Sequence, residues 1–215
     1  MNFVAHSHVA LRISGASWEE AFGAVLPDLV SMAGTRIDRS RLGCDVQDGI
    51  ALHHRTDKAF HGLEAFQTGS RRIREALRAA GLPTGPVRAI GHAGFELLLD
   101  GCLLSHRGVR EEFAQVLARA PDVAEAVSPT DADRWRELLR SMREESWWLG
   151  YEDPKLVAHA LQRRLQRRPL LRFSEAAVPM VTEVLTAARH ALEAVAEDIV
   201  VSVAESIQAG KQSGT

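Results

Sequence analysis

The chain has 215 residues, of which 46% are hydrophobic and 25% charged, and its formal net charge is −2. This length is enough for one domain with a sizeable core, and the composition is that of an ordinary globular protein. The small net charge gives no reason to expect nucleic acid as a partner. Cys44 and Cys102 lack CxxC spacing, which argues against a thiolate zinc site or disulfide scaffold and favours the reducing cytoplasm.

The beginning of the chain, MNFVAHSHVA, does not have the pattern of a signal peptide. It lacks a basic start and contains His6 and His8 within its first turns. Nowhere do about 18 apolar residues run together, which is the length that a membrane-spanning helix needs. We therefore expect no association with a membrane.

The first predicted helix is the segment SWEEAFGAVLPDLVSM. Ser17 is followed three residues later by Glu20, a capping-box pattern, and apolar residues recur at helical spacing. Pro27 is expected to break or kink this helix, because proline lacks the N–H donor and crowds the preceding turn. Asp28 would then either occupy an irregular backbone position or cap the next turn.

Three helices are predicted in the middle of the chain. One runs from about residue 46 to 61, with acidic residues early and Gly62 directly after it. A second, amphipathic helix covers 63–80 and ends at GLPTGP. The third, 87–106, is so apolar that it should be largely buried. Its glycines, Gly91, Gly94 and Gly101, indicate a close approach of another element, of which a glycine-assisted helix crossing is the ordinary case.

The second half of the chain is also predicted to be helical. A short helix covers 108–119, PDVAEAVSP is a candidate linker, one helix begins near Thr130 or Asp131, and another ends at Pro169. A final long helix is expected from about 174 to 208, followed by a disordered tail at 211–215. Its apolar stripe fits either the core or the seam of a homodimer. No strand pattern occurs, so we predict an all-α fold of seven to nine helices in one domain, residues 1–210.

Two sets of acidic and imidazole side chains recur at four-residue spacing: His53, Asp57 and His61, and then His92, Glu96 and Asp100. Positions four apart lie above one another on a helix, so each set lines a single stripe. Charged groups in a buried helix are costly unless they are paired or coordinated. Two facing stripes would form a cage for a divalent cation, with manganese favoured and iron, zinc or magnesium as alternatives. The competing interpretation of each residue is a solvated polar face.

A metal in this cage with an open coordination position would activate a water molecule, so the site is a hydrolase candidate. Arg55 could hold a phosphoryl oxygen in a bidentate clamp, or form an ordinary salt bridge. Asp28 or Asp57 would orient the water or accept its proton. His6 and His8 point to different sides of either a strand or a helix. At least one of them should therefore be structural or lie behind the ligands.

Four blocks of this sequence resemble the acyl carrier protein phosphodiesterase family: MNFVAHSHVA, LPDLV, GIALHHRTD, and the stretch from SWWLGYED to QRRP. Family members typically begin MNFLAHxHLA, continue with a GNLLADF-like segment, and then carry GIxxHRxID followed by an aspartate. The resemblance runs through most of the first 110 residues and again through 146–169. The matching positions are His6, His8, Asp28, His53, Arg55 and Asp57.

The resemblance implies an HD-domain-like helical fold and a manganese-favouring enzyme. Such enzymes hydrolyse the phosphodiester that joins 4'-phosphopantetheine to a serine of holo acyl carrier protein. The basic run Arg163, Arg164, Arg167 and Arg168 could receive the acidic surface of this carrier protein. A solvated helix face is the alternative interpretation of the run.

Three positions depart from the family pattern. His61 stands where the family has an aspartate, and the D-x-x-x-D-H-F-L pattern aligns so that Glu96 replaces an aspartate and Gly101 replaces the histidine. His61 and His92 could replace the lost ligands. The predicted function is thus a metal-dependent phosphodiester hydrolase. A hydrolase of another phosphate ester and a non-catalytic helical binding or dimerisation protein are the alternatives.

Overall fold

The computed structural model describes residues 1–13, 15–128 and 130–212. These residues form ten α-helices and four short 3-10 helices, and the described part of the chain contains no β-strand. An isolated bridge pairs Ile37 with Val127. The predicted all-α class is therefore confirmed.

The helices are α1 (Phe3–Arg12), α2 (Trp18–Ala33), α3 (Cys44–Gly62), α4 (Glu64–Ala79), α5 (Thr84–Leu104), α6 (Arg107–Ala118), α7 (Ala132–Glu144), α8 (Pro154–Gln166), α9 (Val178–Glu193) and α10 (Ala196–Gln212). Helices α2 to α8 lie where the apolar spacing predicts them, within a few residues. The predicted cap is present, since the Glu20 backbone N–H donates to Ser17 Oγ at 3.0 Å. Helix α1 was not assigned by the sequence, and none of the described helices is long and apolar enough to cross a membrane.

A break of the first predicted helix at Pro27 and a single long final helix were both expected, and neither is found. Pro27 does not end α2, which continues to Ala33. A proline inside a helix costs roughly 3 kcal/mol, but α2 buries Leu26 and Leu29 on either side of it, and this burial outweighs the lost hydrogen bond. The predicted last helix is divided into α9 and α10 by a turn at residues 194–195. No glycine or proline marks the turn, although Glu197 and Asp198 in the first turn of α10 are typical of a helix beginning.

The chain contacts define two compact units. The first contains Met1–Phe60, His106–Trp148 and the described residues from Val200 onward, and the second contains His61–Ser105 and Leu149–Ile199. The described part of the predicted linker, 121–128, lies within the first unit and is not a boundary. Residue 129 lies outside the described residues. The single domain over 1–210 stays a prediction. Helix α10 runs to Gln212, and the rest of the predicted tail lies outside the described residues.

In the first unit, α1 is buried along most of its length, from Phe3 to Ala10. The ring of Phe3 stacks on Phe113 of α6, with 5.6 Å between the ring centroids. Helices α2 and α3 approach each other very closely at two glycines. A Cβ added at Gly23 would meet the Val46 carbonyl oxygen, and one added at Gly49 would meet the Glu20 carbonyl oxygen. This close approach brings the backbone of α2 within reach of the side chains of α3.

In the second unit, α5 is the central buried helix, as its composition predicts. A Cβ at Gly91 would meet the Arg74 side chain, and one at Gly94 would lie 3.1 Å from Leu185 Cδ2. A Cβ at Gly101 would overlap the carbonyl oxygen of Tyr151. The close-approach interpretation of the three α5 glycines is therefore confirmed. It follows that position 101, where the family has a histidine, has no room here for any side chain.

Candidate functional site

The first unit contains a buried group of histidines and carboxylates that we call the His6 cluster: His6, Asp28, His53 and Asp57. Helix α1 supplies the first, α2 the second and α3 the last two. The ligand-capable atoms of His6, Asp28 and His53 all lie within 4.8 Å of one another. Three consecutive helices thus bring their polar groups to one point.

The ring of His53 is held in a defined orientation. Its Nδ1 lies 2.9 Å from the carbonyl oxygen of Ala24. A carbonyl can only accept a hydrogen bond, so Nδ1 carries the proton and Nε2 presents its lone pair. The ring also stacks on that of His6, with centroids 4.0 Å apart and an interplanar angle of 26°. A histidine fixed by a backbone carbonyl in this way is typical of a metal ligand.

His6 is fully buried, yet neither of its ring nitrogens makes a hydrogen bond within the described residues. Its Nε2 lies 3.2 Å from Asp57 Oδ1, but the pair does not have hydrogen-bond geometry. Buried polar groups are nearly always hydrogen-bonded, and a missing bond costs roughly 1–3 kcal/mol. This orphaned imidazole beside a second imidazole and a carboxylate is the donor set that a divalent cation requires, so the residues fit a metal.

Burial keeps both imidazoles of the cluster uncharged. It lowers the pKa of His6 from 6.5 to about 3, although the contact with Asp57 opposes the shift. Burial also lowers the pKa of His53, against the attraction of Asp57. Near neutral pH the two rings are therefore neutral, which is the form that coordinates metals.

Asp57 lies beside both imidazoles and is only partly buried, with 34% of its side chain exposed. Its Oδ1 is 2.8 Å from the Met1 ammonium group, and its Oδ2 is 3.6 Å from His53 Nε2. Burial tends to raise the pKa of this carboxyl group, but the contacts with His6 and the ammonium group outweigh it and hold the pKa below its usual range. Asp57 is therefore ionised at the edge of the cluster.

The second unit contains another group, the His61 cluster, formed by His61, His92 and Glu96. Nε2 of each histidine lies 3.1 Å from Glu96 Oε1. The imidazole centroids are 4.9 Å apart. Burial tends to raise the pKa of Glu96, but its contacts with the two histidines outweigh this and lower the pKa below its usual range. The carboxylate is therefore ionised between two imidazoles.

Five of the six predicted metal ligands are thus divided between the two clusters. His53 and Asp57 belong to the His6 cluster, whereas the third member of the same stripe, His61, belongs to the other. Asp100 is fully buried in α5 and is in neither group. The roles of these residues as ligands stay predictions.

The remaining predicted residues lie as follows. Arg55 is exposed, because it is two residues from both His53 and Asp57 and so faces the other side of α3. Its role as a phosphate clamp stays a prediction. Both opening histidines are buried on α1, and His8 Nδ1 lies 2.8 Å from Glu112 Oε2. His8 is therefore the member of the pair in a structural environment, as expected for one of the two. His6 is the candidate ligand.

Helical spacing alone did not reveal that His6, Asp28 and His53 meet. The sequence signal that includes all three residues is the set of blocks MNFVAHSHVA, LPDLV and GIALHHRTD. Each block contributes one member of the cluster. Spacing arguments work within one helix, whereas this cluster joins three.

The fold and the His6 cluster define an all-α protein with a buried imidazole and carboxylate centre. A model of the acyl carrier protein phosphodiesterase family matches residues 1–200. The chain therefore belongs to the acyl carrier protein phosphodiesterase family. Neither the curated proteins nor the solved structures contain a significant match. The family match covers the whole of both clusters and extends well beyond the blocks that carry the sequence resemblance.

Proposed function

We propose that this protein is a metal-dependent phosphodiesterase that removes 4'-phosphopantetheine from holo acyl carrier protein in the cytoplasm, with the His6 cluster as its metal centre. The observation that carries the proposal is His6 itself. Its two buried ring nitrogens make no hydrogen bond within the described residues, and they lie beside a second neutral imidazole and a carboxylate. Family membership supports the phosphodiester as the substrate bond.

In this proposal His6, Asp28 and His53 hold the cation. Two imidazole nitrogens and a carboxylate oxygen suit manganese, with iron, zinc and magnesium as alternatives. A bound divalent cation would supply an acidified water molecule and would neutralise charge on the phosphoryl group. The Ala24 carbonyl holds His53 in the tautomer that leaves Nε2 available.

Asp57 is the proposed general base. It is ionised, it is partly exposed, and its Oδ2 faces the His53 ring at 3.6 Å. A carboxylate in this position would orient a water molecule and accept its proton on Oδ2 as the water oxygen bonds to phosphorus. The bond from phosphorus to the serine oxygen of the carrier protein would break in the same displacement, and that oxygen would leave as an alkoxide that takes a proton from solvent. General-base assistance of this kind contributes roughly 10²–10⁴-fold to a rate.

The proposal of a carrier-protein substrate has support from the surface of the second unit. Arg163 and Arg164 in α8, and Arg167 and Arg168 after it, are all exposed. They stand at the C-terminal end of α8, where positive charge also stabilises the helix. Such a patch would speed the approach of an acidic partner in a salt-dependent way. A homodimer stays a prediction.

The test compares a histidine of the His6 cluster with an exposed histidine of the other unit. The purified protein is stripped with a chelator, reloaded with Mn²⁺, and assayed on holo acyl carrier protein and on bis(p-nitrophenyl) phosphate. We expect activity only in the reloaded sample. His53→Ala should lose this activity and about one equivalent of bound metal. His190→Ala is the control, because His190 is an exposed histidine of α9 in the other unit.

Four outcomes would count against the proposal. Full activity of the stripped protein would exclude metal dependence, and full activity of His53→Ala would exclude the His6 cluster. Hydrolysis of the generic diester without hydrolysis of holo acyl carrier protein would assign the protein to another phosphate ester. Absence of both activities in metal-loaded protein would favour the non-catalytic alternative.

A further inference from the structure

We propose that the His61 cluster is a second, separate metal site that binds a zinc-type transition-metal dication through His61, His92 and Glu96. This goes beyond the proposed function, which places the catalytic cation on other residues. The two sites share no ligand.

The geometry converges on one carboxylate oxygen. His61 at the end of α3 and His92 in α5 both direct Nε2 to Glu96 Oε1, at 3.1 Å in each case. Two ligands that each lie about 2.0–2.1 Å from a tetrahedral zinc ion are separated by about 3.3 Å. The observed spacing is therefore close to that of ligands around such an ion, and only small shifts would admit it.

The three side chains are also accessible and supported. His92 is 51% exposed, His61 35% and Glu96 15%, so the imidazoles form a rim over a more buried carboxylate. The Phe66 ring packs against both imidazoles, with centroids 4.8 Å from His61 and 5.3 Å from His92. A hydrated ion can reach the group from solvent, while Phe66 limits the orientations of the two rings.

The ligand types select the class of ion. Two imidazoles and one carboxylate are the protein ligands of open zinc sites, which leave a further coordination position to water or a small ligand. Magnesium and calcium prefer sets made of oxygen atoms. The ordinary alternative is a structural network in which both histidines donate hydrogen bonds to Glu96, and this alternative predicts no specific metal binding.

The experiment titrates Zn²⁺ and Co²⁺ into chelator-treated full-length protein by calorimetry and visible absorption. We expect a second equivalent of metal beyond that of the His6 cluster, with the intense Co²⁺ bands of a four-coordinate site. His92→Ala and Glu96→Gln should lower the affinity of this equivalent at least about 10-fold. His190→Ala, an exposed histidine of α9, should leave it unchanged.

His53→Ala separates this proposal from the previous one, because it should remove the first equivalent and retain the second. The inference is overturned if His92→Ala and Glu96→Gln bind Zn²⁺ as tightly as the original protein, or if His190→Ala loses the same equivalent. The Co²⁺ spectrum keeps the test decisive even if a variant does not fold. His53→Ala protein that shows no four-coordinate Co²⁺ signal also overturns the proposal.

Discussion

The His6 and His61 clusters contain the same kinds of side chain in different surroundings. In the first, His6 has no exposed surface and its pKa falls to about 3. In the second, His92 is half exposed and directs Nε2 to an ionised carboxylate. Burial thus makes imidazoles neutral and leaves them without solvent, whereas the rim of the second cluster remains in contact with water. Surroundings, rather than residue type, therefore decide the charge and the solvent access of such a group.

The largest effect is expected from His6→Ala, which would test whether chemistry belongs to the buried cluster. Loss of a metal ligand should lower kcat/KM for holo acyl carrier protein by about 10³-fold, equivalent to about 4 kcal/mol of transition-state stabilisation. His106→Ala, an exposed histidine of the same unit, should stay within about 2-fold of the original protein. Equal losses of activity in the two variants would show that the buried histidine matters no more for the reaction than an exposed one.

A second prediction concerns Gly101, which stands where the family pattern has a histidine. It lies in α5, the helix that also carries His92 and Glu96 of the His61 cluster. Gly101→Ala should lower the free energy of unfolding by about 3 kcal/mol, and Gly101→His by more, because a Cβ would overlap the Tyr151 carbonyl oxygen. Gly108→Ala in α6 is the control, since no atom lies within 4 Å of its Cβ position. It should be neutral or stabilising by up to about 1 kcal/mol. Urea denaturation measures all three, and a stable Gly101→His that gains metal would contradict the steric account.

Asp57→Asn sharpens the assignment of roles within the His6 cluster. If Asp57 is the base and not a ligand, kcat should fall by about 10–100-fold while the metal content of the purified protein stays unchanged. The amide keeps the size of the side chain but cannot accept the proton. Parallel loss of metal and activity would instead make Asp57 a ligand.

The smallest predicted effect is a pH dependence of stability. The pKa of His6 is lower in the folded protein, about 3, than in the unfolded chain, about 6.5. The unfolded state therefore binds more protons between these values, and stability is lost as pH falls below 6.5. Between pH 6.5 and 5 the free energy of unfolding should fall by roughly 1–2 kcal/mol from His6 alone, before the carboxylates titrate.

His6→Gln should remove this share of the pH dependence, whereas the exposed His92→Gln should leave it in place. Denaturant midpoints measured at pH 7.5, 6.5 and 5 distinguish the two variants. Identical pH profiles for His6→Gln and the original protein would show that the buried imidazole does not control acid stability.

Most of the helical framework was predictable because apolar periodicity reports which face of a helix is buried. The Ser17 cap, the burial of α5 and its close-packed glycines all follow from local sequence. The continuation of α2 through Pro27 and the turn between α9 and α10 were not predictable in this way. At those places tertiary packing outweighs local preference.

The candidate site shows the same division. The sequence by itself determined the helical class, the family blocks and the one-turn spacing of His53 and Asp57. Only the tertiary structure decided that these two meet His6 and Asp28, while His61 meets His92 and Glu96. Periodicity specifies which side chains share a face of one helix. Which helices those faces then meet depends on how distant parts of the chain pack together.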